Sequence, residues 1–247
     1  MKVEQESNVF VDSIMSDIQT KFIGDHSRTD SIHLTDCIYC LRKAYWDKMS
    51  PLPPTPKESL YFILGLGLQN VLLPSYSTPL PRTRAGVVYS PDAISSDGFP
   101  VELKTTRMTK KRLLEQGFPT GWLKQMMGYC SALDKLKCCL LVIPIIQPEV
   151  LSFTLSFSYY ELQDNDLMIE KNALTLVHSI WNGIVPPKDS DQEWECVNCR
   201  YSLRCAAEEA NPTPAPWLRK PESQETFAAY KLVKGNNREP GLYKEKR

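Results

Sequence analysis

The spacing of apolar residues along the chain predicts helices that alternate with strands. Apolar side chains recur at helical intervals in residues 35–49, 58–73, 119–133 and 161–182. Thr35 is the expected N-cap of the first of these helices, and a proline cluster follows its end. Each stretch is long enough to span a sheet, so we expect these helices to cover one.

Short runs of strand-like composition lie between the helices. The pattern turns to strands at residues 85–89, 91–94 and 100–105, and two further runs at 137–146 and 150–159 are typical of buried strands. Helix, strands, helix, strands and helix in this order predict an α/β domain with a mixed sheet flanked by helices.

The hairpin signal at Asp97-Gly98 brings together charged residues with a chemical use. Side chains alternate faces along a strand, so Glu102 and Lys104 point the same way while Leu103 points into the core. A register that sets Asp92 beside Glu102 would place two carboxylates and one ammonium in a small patch.

Two carboxylates and a lysine are a minimal site for metal-dependent hydrolysis. The carboxylates hold Mg²⁺ or Mn²⁺, which completes its coordination with water and a substrate phosphate. The ion lowers the pKa of a bound water and stabilises displacement at phosphorus, and the lysine orients that water. The alternative is a surface hairpin whose acid and base form an exposed ion pair.

The helix expected at 119–133 adds a polar face. Gln125 and Tyr129 are four residues apart and therefore share that face, with Trp122 on the same side. A helix that leans over the hairpin would let Gln125 hold a water or phosphate, and Tyr129 contact a phosphate or stack on a base. The alternative is an amphipathic helix with aromatic residues on its buried stripe.

Composition limits the classes of protein to consider. The 247 residues are 42% hydrophobic and 23% charged, as in ordinary globular domains, and Lys+Arg and Asp+Glu both total 29. Binding of a polyanion therefore requires a local basic patch. With neither a secretory signal nor a run of about 18 apolar residues, we expect a soluble, cytoplasmic protein without a membrane partner.

Eight cysteines are many for an intracellular chain, where clustered thiols indicate a metal. Cys196, Cys199 and Cys205 have C-x2-C-x5-C spacing, and the fourth ligand is expected from Cys37 or Cys40. The interpretations are an iron–sulfur cluster, a Cys₄ zinc clamp or unliganded thiols. Three further cysteines among apolar residues are expected to be buried: Cys130, Cys138 and Cys139.

In their order along the chain, these motifs resemble a known nuclease group. Pro91-Asp92, Glu102-Leu103-Lys104 and Gln125-x-x-x-Tyr129 resemble the RecB-like PD-(D/E)xK nuclease core with its Q-x-x-x-Y helix. A cysteine before Leu41-Arg42-Lys43, with the C-terminal cysteine motif, resembles the iron–sulfur branch of that group. This branch includes AddB-type helicase–nucleases and the stand-alone CRISPR-associated exonucleases (the fourth Cas family). Chain length and the absence of helicase motifs favour the CRISPR-associated form.

The resemblance implies a role for each matched residue. Asp92, Glu102 and the Leu103 carbonyl would hold Mg²⁺ or Mn²⁺, and Lys104 would position the attacking water. Gln125 and Tyr129 would organise water and phosphate.

In that family the remote cysteine directly precedes a run like Leu41-Arg42-Lys43, which selects Cys40 and leaves Cys37 as the substitute. The implied ligands of the cluster are Cys40, Cys196, Cys199 and Cys205. A [4Fe–4S] cluster is favoured over [2Fe–2S], and it would clamp an N-terminal helix to the C-terminal segment.

One position departs from the family pattern. The family usually carries a metal-binding histidine in a G-x-x-x-H helix, and here the matching run begins at Gly65 and ends at Gln69. An amide oxygen can ligate Mg²⁺ or Mn²⁺ but lacks the affinity of imidazole for softer metals. The histidines of the chain, His26, His33 and His178, lie outside this context.

The resemblance further implies a metal-dependent exonuclease that cuts single-stranded DNA, often from a 5′ end, and trims DNA for CRISPR spacer acquisition beside integrase proteins. The alternatives are a weak or inactive iron–sulfur DNA-binding adaptor, a RecB-like repair nuclease outside CRISPR, and a zinc-clamped structural protein. The cations expected along the DNA path are Arg42, Lys43, Arg107, Lys110, Lys111, Arg112 and Lys124.

We expect one domain over residues 1–247. It would comprise an N-terminal helical part (1–77), a nuclease core (78–160), a C-terminal helix with the cysteine motif (161–215) and a tail (216–247). A weak helical period also predicts a lead-in helix within residues 1–30.

Overall fold

The computed structural model of the chain describes residues 16–17, 31–73, 81–188 and 193–210, without the side chains of 193–194. The strands are β1 (Ile32–His33), β2 (Arg82–Arg84), β3 (Val87–Tyr89), β4 (Ala93–Ile94), β5 (Pro100–Thr106), β6 (Lys137–Pro144) and β7 (Leu151–Ser156). The helices are α1 (Leu34–Ile38), α2 (Leu41–Met49), α3 (Pro56–Leu72), α4 (Lys110–Gln116), α5 (Thr120–Ala132), α6 (Tyr159–Asn182), α7 (Glu193–Val197) and α8 (Ser202–Ala210). The expected lead-in helix and tail lie outside the described residues, apart from the short stretch 16–17.

The strands form two mixed sheets. The smaller has the order β1-β3-β2, and the larger has the order β4-β5-β6-β7. In the larger sheet β5 and β6 are parallel and are connected through α4 and α5, while the outer pairs are antiparallel. The predicted α/β class, with mixed sheets flanked by helices, is confirmed.

Apolar side chains pack on both faces of the larger sheet. On one face Met126 of α5 and Ile169 of α6 pack with Leu140 of β6, in a cluster that also includes residues of α1 and α2. On the other face Val101 and Leu103 of β5 form a second cluster, against which the end of α3 packs. The predicted inward direction of Leu103 is confirmed, because the alternation of side chains along β5 puts the neighbouring polar residues on the opposite face.

The helix ends follow from local sequence. Thr55 and Glu58 form a capping box at the start of α3, and Ser158 and Glu161 form another at the start of α6. Gly183 ends α6 with φ 65°, a left-handed conformation that costs glycine little. These signals explain why both helices begin or end within a few residues of their predicted bounds.

Two predictions of local structure are wrong. The single helix expected at 35–49 is two helices, α1 with His33 as its N-cap and α2 with Cys40 as its N-cap. Tyr39 between them is extended (φ −107°, ψ −167°), and the Cys40 N–H donates to Glu195 Oε2 at 3.2 Å instead of continuing the helix. The strand expected at 85–89 is shorter, because Ala85-Gly86 has positive φ values (48° and 78°) and turns the chain between β2 and β3.

Searching the described residues for a helix with the length and apolar character needed to cross a membrane gives none.

Candidate active site

The hairpin formed by β4 and β5 sets the two expected carboxylates side by side. Ala93 pairs with Val101 and Ile94 with Pro100, so the next position in this antiparallel register puts Asp92 opposite Glu102. Asp92 Oδ2 also accepts a hydrogen bond from the Leu103 N–H at 2.8 Å. The predicted hairpin register is confirmed, and the backbone itself fixes one carboxylate beside the other.

Glu102 lies at the centre of a hydrogen-bonded group. Its Oε1 accepts from Lys104 Nζ at 2.6 Å and from Gln125 Nε2 at 2.8 Å. Lys104 Nζ donates in addition to Gln125 Oε1 at 2.8 Å, which closes a triangle of three side chains. The alternative of an exposed ion pair is therefore wrong, because only 5% of Glu102 is exposed.

The second oxygen of Glu102 has a different environment. Glu102 Oε2 is buried and accepts no hydrogen bond from any part of the chain that the structure describes. A buried carboxylate oxygen without a partner is costly, since it loses its hydration and gains nothing in exchange. A divalent cation held between Glu102 and Asp92 would satisfy this oxygen.

Asp92 has a pKa that is raised by its surroundings. Burial, together with the charge of Glu102, raises the pKa of Asp92 from 3.8 to about 7, although the Leu103 N–H and Lys104 act in the opposite direction. Two carboxylates that share one desolvated patch resist ionising together. Their environment favours a bound cation or a shared proton.

Lys104 stays charged in this site. Burial alone would lower its pKa, but the charge of Glu102, with smaller contributions from Tyr39 and Asp92, raises the pKa above the ordinary lysine value. A protonated ammonium donates hydrogen bonds and stabilises negative charge, and it does not act as a base. Its chemistry is therefore that of a donor to a water or to a developing oxyanion.

The helix α5 contributes the third side chain of the triangle and its support. Gln125 Nε2 donates to the Tyr129 hydroxyl at 2.8 Å, and that hydroxyl donates to the Ser90 carbonyl at 3.1 Å. Only 3% of Tyr129 is exposed, so its ring has no free face on which a base could stack. That part of its expected role is wrong, and the structure instead makes Tyr129 a support for Gln125.

Gln69 is half-buried on α3. Leu68 and Leu72 of the same helix pack in the cluster that holds Leu103, on the face of β5 opposite Glu102. Within the described residues Gln69 forms no side-chain hydrogen bond with Asp92 or Glu102. Its role as a ligand, like that of the Leu103 carbonyl, stays a prediction.

The expected DNA-path cations divide into two groups. Arg42 is buried, where its Nε donates to the Pro186 carbonyl at 2.9 Å, and Lys43 pairs with Asp47 at 3.0 Å. The prediction that Arg42 lines a DNA path is therefore wrong. The cations that follow β5 are exposed or half-buried and at most weakly paired at the surface, so a polyanion can reach them: Arg107, Lys110, Lys111, Arg112 and Lys124.

Cys40 and Cys196 lie within electrostatic range of Cys199, and Cys40 and Cys199 lie within that range of Cys205. These four cysteines are here called the cysteine group. Burial raises the pKa of Cys199 and of Cys205, and the nearby thiols of the group contribute to both shifts. Arg42 and Lys43 act in the opposite direction on Cys205 and Cys199 respectively. Cys37 is instead fully buried in the core, and burial beside Asp36 raises its pKa to about 12.

The donor set of the cysteine group fits a thiolate-bound metal, because four thiols beside two cations can hold either zinc or an iron–sulfur cluster. The four thiols do not, however, surround a common point as the ligands of a bound metal do. Across the described part of the chain, no set of three or more His, Cys, Asp or Glu side chains has the geometry of a metal site. Of the three cysteines expected to be buried, Cys130 and Cys138 lie in the core, whereas Cys139 is only half-buried at its edge.

Side-chain contacts hold the C-terminal cysteine segment against α2 and α3. Asp47 Oδ1 accepts from Arg200 Nη2 and from the Tyr201 hydroxyl, the latter at 2.7 Å, and Arg200 Nη1 lies 3.6 Å from Glu58 Oε1. The Arg204 guanidinium lies 4.8 Å from the Trp46 ring. These contacts dock the segment without any help from the thiols.

Comparison with known proteins gives a fold and no family. No family model matches the chain, and no curated protein matches its sequence. The crystal structure of SSO0001 superposes with a TM-score of 0.54 at 19% identity, over 80% of this chain and 96% of that one. The alkaline exonuclease LHK-Exo of Laribacter hongkongensis gives 0.46 at 12% identity, over 74% and 96% of the two chains.

LHK-Exo in complex with dAMP gives a TM-score of 0.48 at 12% identity, with the same 74% and 96% coverage. The likeness to SSO0001 shows a shared fold. The TM-scores against the exonuclease lie below 0.5 and do not show a shared fold.

Sequence reasoning missed three residues that surround the site. The Ser90 carbonyl anchors Tyr129, Glu195 accepts from the Cys40 N–H, and Tyr39 lies within electrostatic range of Lys104. Ser90 gives no signal, since it acts through its backbone. Glu195 and Tyr39 each directly precede an expected cysteine ligand, and that adjacency is the signal that marks them.

Proposed function

We propose that the protein is a metal-dependent deoxyribonuclease whose catalytic centre is formed by Asp92, Glu102, Lys104 and Gln125. The observation that carries this proposal is the buried Glu102 Oε2, which faces no partner in the described chain while Oε1 is held by two donors. Asp92, opposite it in the hairpin, supplies the second carboxylate. Carboxylate pairs of this kind suit Mg²⁺ or Mn²⁺.

The residues divide the work between binding and proton handling. A bound divalent ion supplies an acidified water and charge stabilisation at phosphorus. Asp92 and Glu102 would hold the ion, with the Leu103 carbonyl and Gln69 as the further ligands that we propose. Lys104 donates a hydrogen bond that orients the attacking water, since its ammonium is already fixed by Glu102 and Gln125.

Gln125 and Tyr129 keep this centre in place. The Gln125 amide joins the Lys104 ammonium to Glu102, and the Tyr129 hydroxyl holds that amide from behind. The exposed cations after β5 provide the local patch that binds the DNA backbone, and binding weakens as salt rises.

We also propose that Cys40, Cys196, Cys199 and Cys205 hold an iron–sulfur cluster, of the [4Fe–4S] type rather than [2Fe–2S]. The cluster would join α2 to the C-terminal segment and so stabilise the fold. Anaerobically purified protein should be brown and contain iron. A colourless preparation with one zinc ion per chain would support the zinc clamp instead.

The test of the enzyme proposal compares end-labelled single-stranded and duplex DNA, with Mn²⁺, with Mg²⁺ and with EDTA. We expect cleavage of the single strand only with the metal, and loss of about 100-fold or more in rate for Asp92→Asn. Asp97→Asn, on the exposed turn of the same hairpin, is the matched control and should cleave as the wild type does. Equal rates for all three proteins would end the proposal.

The biological setting we propose is trimming of DNA ends for CRISPR spacer acquisition, with integrase proteins as partners and a 5′ end as the entry point. A 5′-labelled and a 3′-labelled strand distinguish the polarity by which label is released first. A repair nuclease outside CRISPR would cleave equally well but would not bind an integrase in a pull-down.

A second candidate is an iron–sulfur DNA-binding adaptor with weak or no turnover. The observation in its favour is Gln69, an amide at the position where the family carries histidine, on a helix that packs on the Leu103 face of β5. Gln69→His should then raise the Mn²⁺-dependent rate. Wild-type protein that binds single-stranded DNA but cleaves none of it with either metal would favour the adaptor.

A further inference from the structure

Tyr39 lies between the cysteine group and the catalytic centre. It is the extended residue between α1 and α2, and the next residue, Cys40, belongs to the cysteine group. The Cys40 N–H donates to Glu195 Oε2, which fixes the backbone just after Tyr39 against the C-terminal segment. The backbone that carries the Tyr39 side chain is therefore anchored next to the cysteine group.

The ring of Tyr39 occupies a space that α5 leaves open at Gly121. A methyl group built on Gly121 would lie 2.6 Å from Tyr39 Cε1, 3.1 Å from Cζ and 3.2 Å from the hydroxyl oxygen. The first of these distances is well inside van der Waals contact. Any residue with a Cβ at position 121 would have to displace the ring.

Gly121 and Gln125 are four residues apart on α5 and so share one face of the helix. Helical side chains lean toward the N-terminus, so the Gln125 side chain covers the same turn that the Tyr39 ring touches. The ring therefore lies beside the turn that the Gln125 side chain covers. From that turn the Gln125 amide reaches Glu102 and Lys104.

The phenol also lies close to the charged residues of the centre. Burial raises the pKa of Tyr39, with Lys104 acting in the opposite direction and Glu195 and Glu102 adding to the increase. The group therefore stays a neutral phenol at neutral pH. Its contribution is packing and position, and not a transferred proton.

We propose that Tyr39 is a positioning residue of the catalytic centre: its ring, packed against Gly121, holds the Gln125 side chain within reach of Glu102 and Lys104. The proposal rests on the nuclease function proposed above and adds a residue to its machinery. It also connects the cysteine segment to the catalytic centre, because Glu195 of that segment fixes the backbone that carries the Tyr39 ring.

The first test separates the ring from its hydroxyl. Tyr39→Ala should lower kcat about 10-fold or more with KM for DNA changed less than about 2-fold, because a small displacement of a positioning group acts on the chemical step. Tyr39→Phe keeps the ring and should stay within about 2-fold of the wild type. Tyr61→Ala, an exposed tyrosine on α3, is the control and should change neither constant. Wild-type kinetics for Tyr39→Ala, or equal losses for Ala and Phe, would overturn the proposal.

The second test reaches the same contact from the helix side. Gly121→Ala should displace the ring and lower kcat as Tyr39→Ala does, while Gly67→Ala, which has open space around it, should not. The double variant Tyr39→Ala with Gly121→Ala should be no worse than Tyr39→Ala alone, because both changes remove one contact. Losses that multiply in the double variant would contradict it.

The third readout does not depend on cleavage. The side-chain amide of Gln125, assigned by its loss in Gln125→Leu, donates to Glu102 and Tyr129 and should show a shifted, slowly exchanging NMR signal. Tyr39→Ala and Gly121→Ala should move that signal toward exposed glutamines, and Tyr39→Phe should leave it in place. An unmoved signal overturns the positioning role even if the enzyme is active, whereas an inactive wild type with a moved signal overturns only the nuclease function.

Discussion

The proposed catalytic centre and the cysteine group are assembled in different ways. In the centre, strand register sets Asp92 opposite Glu102, and hydrogen bonds of 2.6 to 2.8 Å join Glu102, Lys104 and Gln125. In the cysteine group, the thiols are near one another but make no metal-ready shell within the described residues. The first is preorganised by the fold, and the second is not.

The two sites differ in what orients their side chains. Backbone pairing and a packed helix orient the polar side chains of the centre, so folding of the chain is enough to set their geometry. The cysteine segment is docked by the contacts of Asp47, Arg200 and Tyr201, which set its general position only. The metal that we propose for this group would fix the thiols themselves through metal–thiolate bonds.

The largest effect is expected at Lys104. Lys104→Ala removes the donor that holds Glu102 and Gln125 together, and it should lower kcat for single-stranded DNA about 100-fold, equivalent to about 2.7 kcal/mol in the barrier. Steady-state cleavage with Mn²⁺ measures it. Lys171→Ala, an exposed lysine on α6 that lies outside the DNA-binding patch, is the control and should lose little. Similar rates for the two variants would show that the centre is not preorganised for catalysis.

The next effect concerns the cysteine group. Cys205→Ser should lose most of the bound iron and lower Tm by about 5 °C or more, because a metal that binds only the folded chain stabilises it. Because the segment remains docked through Asp47 and Arg200, Mn²⁺-dependent cleavage should survive with a smaller loss than in Lys104→Ala.

Cys139→Ser is the matched control for iron content. Its thiol is half-buried, 3.5 Å from the Ser152 hydroxyl and outside the cysteine group. It should keep the iron of the wild type. Iron retained in Cys205→Ser, or lost equally in both variants, would remove Cys205 from the ligand set.

A smaller effect tests the packing that places α5. A methyl group on Gly128 would lie 2.9 Å from both Cδ atoms of Leu34 and 3.4 Å from Cδ1 of Ile169, so Gly128→Ala should destabilise the fold by about 1–3 kcal/mol. Gly67→Ala, with open space, should stabilise it by about 0.5–1 kcal/mol through helix propensity. Urea unfolding measures both, and a stable Gly128→Ala would contradict the close approach of α5 to α1.

The smallest effect is the pH dependence of metal stabilisation. The pKa of Asp92 is raised from 3.8 to about 7 in the folded chain, so without metal the folded state binds an extra proton between these values and stability falls as pH rises through them. Mn²⁺ has to displace that proton below about pH 7. The rise in Tm with Mn²⁺ should therefore be larger at about pH 8 than at about pH 5.5.

Asp92→Asn removes the titrating group and should flatten this dependence. Asp97→Asn keeps it, because the exposed turn residue takes no part in the pair. A Mn²⁺ effect on Tm that is equal at both pH values in the wild type would show that Asp92 does not bind the ion.

The sequence was sufficient for the parts of the centre that depend on local periodicity. The Asp97-Gly98 turn fixes the hairpin register, strand alternation puts Glu102 and Lys104 on one face, and four-residue spacing puts Gln125 over Tyr129. Each of these follows from a short stretch of chain. The α/β class followed in the same way from the order of helices and strands.

Long-range contacts account for what the sequence did not reveal. The break at Tyr39 depends on Glu195, which is far away along the chain, and the burial of Arg42 depends on the Pro186 carbonyl. Helical periodicity continues through residues 35–49, so nothing local marks the interruption. The contact between the Tyr39 ring and Gly121 likewise forms only when the end of α1 packs against α5 in the folded chain.

We propose that Asp92 and Glu102 together hold one divalent ion at Oε2 of Glu102, which has no partner in the described chain. Calorimetric titration with Mn²⁺ of the wild type, Glu102→Gln and Asp97→Asn tests it most directly. We expect one Mn²⁺ per chain in the wild type and in Asp97→Asn, and an affinity at least about 10-fold lower in Glu102→Gln. Equal affinity in Glu102→Gln and the wild type would contradict it.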